Sequence, residues 1–208
     1  MLGIEPYTKT GPERIAAMAS ALHRIDKRGI PGAVVECGVW KGGNIILACK
    51  LSPSRVCWLY DTFDGMTEPT ELDLKRSGIR ALDIYRRKQV KGRKWCAASV
   101  DEVRACFQEM DVLDDERLRF VAGKVEDTLK IEANLPDQIA LLRLDTDWYE
   151  STKVELEMLY PRLASGGYLI VDDYGHWAGS RKAVDEYFGK NGPKLKHIDY
   201  SAVKLVKP

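Results

Sequence analysis

Five short apolar runs punctuate the chain: AVVEC (33–37), RVCWLY (55–60), LRFVAG (118–123), IALLRLD (139–145) and YLIVDD (168–173). Runs of this length that are apolar at successive positions suit strands buried on both faces of a parallel sheet. Between them, segments 42–51, 99–110, 151–164 and 180–190 carry apolar residues at helical spacing, and segment 11–25 adds one before the first run. Alternation of this kind predicts a Rossmann-like, doubly wound α/β sandwich. Its end differs, because KLKHID (194–199) and AVKLVK (202–207) are separated only by Tyr200 and Ser201. So short a link permits a hairpin but no parallel crossover. The expected architecture is therefore a mostly parallel, seven-stranded sheet closed by an antiparallel C-terminal hairpin. Ser151 or Thr152 and Ser180 are the expected helix starts, and Gly166 and Gly167 the expected stop of the long fourth helix.

A length of 208 residues suits one α/β domain. Lysine and arginine (32) balance aspartate and glutamate (31), so the net charge of +1 gives no reason to expect nucleic acid or an anionic membrane as partner. No stretch approaches the ~18 apolar residues of a membrane span, and MLGIEPYTKT lacks the regions of a signal peptide. A cytoplasmic location is expected. The five cysteines are widely spaced with no C-x-x-C pair, which favours reduced thiols over a zinc or redox centre. One stretch stands apart: Glu71 to Lys94 holds nine lysines and arginines against three acids. It reads either as a solvated face or as a cover over a ligand site, a lid spanning 66–100 at its widest, and as a cover its charge favours an acidic acceptor.

In an open α/β sheet, ligands collect beyond the carboxyl ends of the strands. The first run continues as VVECGVWKGGNI, placing Glu36 before Gly38, Gly42 and Gly43. Trp40 stands where a dinucleotide fingerprint needs its second glycine, which argues against NAD. Glu36 would repel phosphate and attract a cation, so S-adenosylmethionine, with its sulfonium and amino group and no phosphate, fits the loop better. Asp61, ending WLYD, is placed to accept hydrogen bonds from ribose hydroxyls. The plainer alternatives are a satisfied structural acid at Glu36 and a helix cap at Asp61.

Two further runs end in paired acids, Asp145 with Asp147 and Asp172 with Asp173. With the usual strand order these ends are neighbours, ~4.8 Å apart. Crowded carboxylates raise one another's pKa unless a cation neutralises them, and an all-oxygen donor set suits Mg²⁺ or Ca²⁺, with Mg²⁺ preferred for its open positions. Helix capping or loop solvation is the alternative for any one of the four. His176 reads as a loop residue or a substrate contact.

With VVECGVWKGG, YDTFDGM, LRLDTDWYEST and GGYLIVDDYGHWAGSRKAVDEYF in view, the chain resembles the macrocin-type O-methyltransferases from about Thr10 to Phe188. These are metal-dependent enzymes that methylate sugar hydroxyls of antibiotics such as macrolides and aminocoumarins. A fainter similarity to catechol O-methyltransferase covers the glycine loop, VAGKVEDTL and the aspartates. The resemblance implies a class I methyltransferase fold, a homodimer, and a small hydroxylated acceptor. It implies Asp145, Asp172 and Asp173 as Mg²⁺ ligands and Asp147 as general base. It also implies contacts to S-adenosylmethionine from Thr10, Glu36, Gly38, Asn44, Asp61 and Asp145, with Lys124, Val125 and Glu126 reading the adenine ring. Two rival functions stay open at this point, a nicotinamide-dependent oxidoreductase and a noncatalytic binding protein on the same fold.

Overall fold

Strand β1 (Ala33–Cys37) lies near the middle of a seven-stranded sheet, and every one of its residues is buried. The computed structural model describes residues 3–89 and 94–208. Strands β2 (Cys57–Asp61), β3 (Leu118–Ala122), β4 (Ile139–Leu144) and β5 (Leu163–Val171) join β1 in parallel. The short β6 (Lys196–His197) and β7 (Val203–Val206) form the expected antiparallel hairpin, with β7 pairing against β5. The sheet order is β3-β2-β1-β4-β5-β7-β6, so the carboxyl ends of β4 and β5 are neighbours.

Helices cover both faces, as a sheet apolar on both sides requires. Helices α1 (Pro12–Lys27) and α2 (Gly43–Leu51) precede α3 (Ala81–Lys88), α4 (Val100–Glu109) and the single turn α5 (Val125–Thr128), and α6 (Tyr149–Leu159) and α7 (Ala178–Phe188) follow. Met18, Leu22, Ile45, Leu47, Phe107 and Leu141 belong to one apolar cluster, and Val35, Leu142, Leu156, Leu159, Leu169 and Val184 belong to the other. Helix α4 opens on a reciprocal cap in which Ser99 accepts from the Glu102 amide and Glu102 accepts from the Ser99 amide.

Three sequence expectations need correction. Gly166 and Gly167 do not stop the fourth helix: α6 ends at Leu159, a 3₁₀ turn carrying Pro161 follows, and β5 is already under way at Leu163. The glycines instead serve an irregularity in the β4–β5 ladder, where Ile139 pairs Leu163 but Leu141 pairs Tyr168. Gly166 has φ 79°, and a Cβ on Gly167 would lie 2.9 Å from the Ala140 carbonyl oxygen. Nor do Ser151, Thr152 and Ser180 start helices. They are buried in the first turns of α6 and α7, which begin after Trp148 and Trp177 with no side-chain cap from those residues.

The basic stretch forms an antiparallel bridge between Leu74 and Arg80 and then α3, while residues 90–93 lie outside the described residues. The five cysteines are unpaired. No helix among the described residues is long and apolar enough to cross a membrane.

Gly38 is the tightest point of the first strand end. Its φ is 84°, and a Cβ there would sit 2.0 Å from the Asp145 carbonyl oxygen. Gly38→Ala must therefore part the β1 and β4 ends, and we expect a loss of about 2–3 kcal/mol in denaturant unfolding. An unchanged midpoint would contradict this packing.

Candidate active site

The loop after β1 turns back on itself through three residues with left-handed backbone, Gly38, Trp40 and Gly42. Asp61 braces it: one carboxylate oxygen accepts the Val39 and Trp40 amides at 2.8 and 3.0 Å, and the other accepts the Phe63 amide at 2.9 Å. Burial raises the Asp61 pKa, and these three amides oppose the rise. The loop forms one wall of a cavity of about 290 Å³. Thr10, Gly38 and Asn44 line one part of it, Asp61 and Thr62 another, and Lys124, Val125 and Glu126 a third. Asp145, Asp147 and Asp172 also face it, as do Met66, Trp95 and Cys96 from the segment around the basic stretch.

Glu36 is fully buried and is not among the residues that line the cavity. It accepts from Asn44 Nδ2 at 2.9 Å and from Arg143 Nη1 at 2.6 Å. Arg143, on β4, is given no role by the motifs of the sequence, yet it ties together acids from three strands. Its side chain is 1% exposed, and besides Glu36 it donates to Asp145 at 2.8 Å, Asp172 at 2.5 Å and the Thr10 hydroxyl at 3.0 Å. Burial disfavours its charge, but the attraction of Asp145, Asp172 and Glu36 outweighs burial and keeps the guanidinium protonated. One cation is shared among three acids, so burial still pushes Glu36 up to about 7. An arginine inside an otherwise apolar strand run was the available signal, since a buried charge demands partners.

Asp145, Asp172 and Asp173 each present a carboxylate oxygen within 4.8 Å of the others. Asp172 is held by Arg143 through one oxygen and by Arg14 through the other, and Arg14 also donates to Asp199 at 2.6 Å. Each of those oxygens keeps a second lone pair. Asp173 Oδ2 is buried with no hydrogen-bond partner. Burial raises the Asp173 pKa strongly, with Asp147 and Asp172 adding to the rise. An all-oxygen set with a buried orphan lone pair and excess negative charge fits a hard divalent cation.

Asp147 stands next to this group with φ 69°, unusual for a residue with a side chain. Its Oδ1 accepts the Trp177 indole N–H at 2.7 Å. Burial and then Asp145 push its pKa up to about 7. Behind the turn, Thr146 donates its hydroxyl to buried Glu155 at 2.9 Å. Trp177 and Glu155 carry no signal in the sequence that would tie them to the acids.

The cluster yields a stability test in Arg143→Met. Removing one member of a buried ionic group costs about 3–5 kcal/mol, because the partners stay buried and unpaired. The deprived acids would have folded-state pKa values above their unfolded ones, so the folded state binds more protons and stability falls as pH rises. We expect the deficit in urea unfolding to be large at pH 7.5 and smaller at pH 5. A variant as stable as the parent at pH 7.5 would contradict the account.

The profile of the macrocin-O-methyltransferase (TylF) family matches residues 4–207. Demethyldecarbamoylnovobiocin O-methyltransferase from Streptomyces niveus is 36% identical over 189 residues, covering 88% of this chain and 68% of that protein. A Streptomyces olivaceus enzyme, 8-demethyl-8-(2,3-dimethoxy-alpha-L-rhamnosyl)-tetracenomycin-C 4'-O-methyltransferase, is 35% identical over 204 residues, covering 95% and 74%. The solved structure of the O-methyltransferase NovP superposes with a TM-score of 0.83 at 35% identity, covering 97% of this chain and 82% of that one. The chain belongs to the macrocin-O-methyltransferase family and is an O-methyltransferase.

Proposed function

We propose that the protein moves the methyl group of S-adenosylmethionine to a hydroxyl of a natural-product sugar, assisted by Mg²⁺. The observation that carries this reading is the convergence of Asp145, Asp172 and Asp173 beside Asp147 at one side of the cavity. The charge of the cavity wall supports the choice of cofactor. Five acids line it (Asp61, Glu126, Asp145, Asp147 and Asp172) against two lysines (Lys9 and Lys124). Such a wall repels a pyrophosphate and attracts a sulfonium, which weighs against the nicotinamide alternative. Asn44 Oδ1, on a residue that lines the cavity, is a buried acceptor without a partner, suited to an ammonium group. The Thr10 hydroxyl oxygen already accepts two hydrogen bonds, so its own hydrogen is left to donate to a cofactor carboxylate. The names of the novobiocin and tetracenomycin relatives support a glycosylated antibiotic precursor as acceptor.

In this mechanism Asp145, Asp172 and Asp173 hold the cation. When bound, Mg²⁺ supplies Lewis-acid stabilisation of negative charge developing on the acceptor oxygen. Asp147 would take the proton from the acceptor hydroxyl as that oxygen gains the methyl group; S-adenosylmethionine, when bound, would supply the methyl and be released as the neutral thioether. The Trp177 N–H fixes Asp147 Oδ1, which leaves the other oxygen to receive the proton. The glycine loop and the wall opposite would hold the cofactor, and the orientation they impose would contribute to the rate.

The test is turnover with labelled S-adenosylmethionine, Mg²⁺ and a panel of glycosylated antibiotic precursors, read by mass spectrometry. Asp147→Asn should lower kcat on the order of 10²–10⁴-fold while calorimetric affinity for S-adenosylhomocysteine is kept. Undiminished turnover would reject Asp147 as the base. Chelation should stop the reaction and Mg²⁺ restore it, and activity that survives exhaustive chelation would remove the metal from the mechanism.

A further inference from the structure

Asp73 is a fully buried acid in the basic stretch, and the mechanism above does not use it. One of its oxygens accepts the Tyr149 backbone N–H at 2.8 Å. The other accepts the Thr70 amide and hydroxyl at 2.7 and 2.9 Å, and its own carbonyl accepts the Ala81 amide at 2.8 Å. Tyr149 is the first residue of α6, a helix with no side-chain cap of its own. The cap therefore arrives from 76 positions earlier in the chain. The other helix that follows an acid pair is served in the same way, since the Ala178 amide at the start of α7 donates to the Leu74 carbonyl at 2.8 Å. Lys75 bridges to Trp177, and the Trp148 indole donates to the Thr67 carbonyl at 3.1 Å. The fit is close: a Cβ on Gly179 would lie 2.1 Å from Asp73 Oδ1.

These contacts bracket Asp147. A non-glycine residue in left-handed backbone is strained and persists only where its surroundings over-determine it. On the C-terminal side of Asp147 the determinants are the Trp148 indole and the Tyr149 amide, both bonded to the segment 67–73. Across from it stands Trp177, bridged to Lys75 just beyond that segment. We infer that Asp73 is a positioning residue, through which seating of the basic stretch between the starts of α6 and α7 sets the Asp147 carboxylate against the Trp177 indole. The functional consequence rests on the reading of Asp147 as base; the structural one does not. It gives the stretch two parts: a base (67–81) fastened to the active-site turns, and a remainder from α3 onward that bears most of the positive charge.

The experiment follows the five tryptophan indole signals in ¹⁵N–¹H spectra of the full chain with S-adenosylhomocysteine. In Asp73→Ala the Trp177 and Trp148 signals should shift, Trp177 in the direction seen in Asp147→Ala. Asp73→Asn keeps an acceptor for the Tyr149 N–H and should leave Trp177 near its parent position. Affinity for S-adenosylhomocysteine should change less than about threefold, while kcat on an acceptor found by the panel falls on the order of 10- to 100-fold, the effect of a small misplacement of a reacting group. In the parent protein, the Ala81 and Tyr149 amides should exchange hydrogen through a common opening, with rates alike within about threefold. This measurement needs no variant to fold. A Trp177 signal unmoved in Asp73→Ala, or Ala81 exchanging more than about 100-fold faster than Tyr149, would overturn the inference. A displaced Trp177 with undiminished kcat would support the positioning by Asp73 and count against Asp147 as the base.

Discussion

The guanidinium of Arg143 is the constraint on which the site depends. Glu36, Asp145 and Asp172 leave three different strand ends and crowd around one guanidinium, with Glu36 and Asp172 buried and Asp145 half-buried at the cavity. Without a cation among them, their repulsion and desolvation would drive them apart or into protonation. Arg143 bonds all three and the Thr10 hydroxyl besides, which links the Thr10 side of the cavity to the acid side through one planar group. A lysine could not span those four oxygens from a single ammonium with the same fork geometry. Because Arg143 and Arg14 together cannot neutralise every acid present, the cluster keeps an excess of negative charge, and that excess is what suits it to a further cation.

A second constraint lies at the helix starts. The turn carrying Asp145 and Asp147 and the turn carrying Asp172 and Asp173 each lead directly into a helix, and neither helix caps itself. The basic stretch fills both vacancies with the Asp73 carboxylate and the Leu74 carbonyl. The acid turns and the base of the basic stretch are thereby parts of one hydrogen-bonded unit.

Much of this was legible in the chain. Strands buried on both faces announce themselves as unbroken apolar runs, and the two-residue link at Tyr200 and Ser201 dictated the hairpin. Adjacent strand ends follow from the sheet order, so the pairs at 145–147 and 172–173 could be seen to meet. What the reading missed shares one physical trait: it depends on partners distant in sequence. Ser151 and Ser180 looked like caps because caps are usually local, whereas here they come from Asp73 and Leu74. Gly166 and Gly167 looked like a helix stop, but Pro161 had already ended the helix, and the glycines answer to the neighbouring strand. Glu36 likewise finds a partner far along the chain: it is fully buried, does not line the cavity, and fastens Arg143 as well as Asn44.

The central claim is that the acids gathered by Arg143 form a seat for a divalent ion beside the cofactor cavity. A crystal structure of the protein grown with Mg²⁺ and S-adenosylhomocysteine tests it most directly. The account predicts one ion with oxygens of Asp145, Asp172 and Asp173 at about 2.0–2.1 Å in octahedral geometry, and Arg143 still bonded to Glu36. Clear cofactor density with no ion among the three carboxylates, at Mg²⁺ concentrations that support turnover, would contradict it.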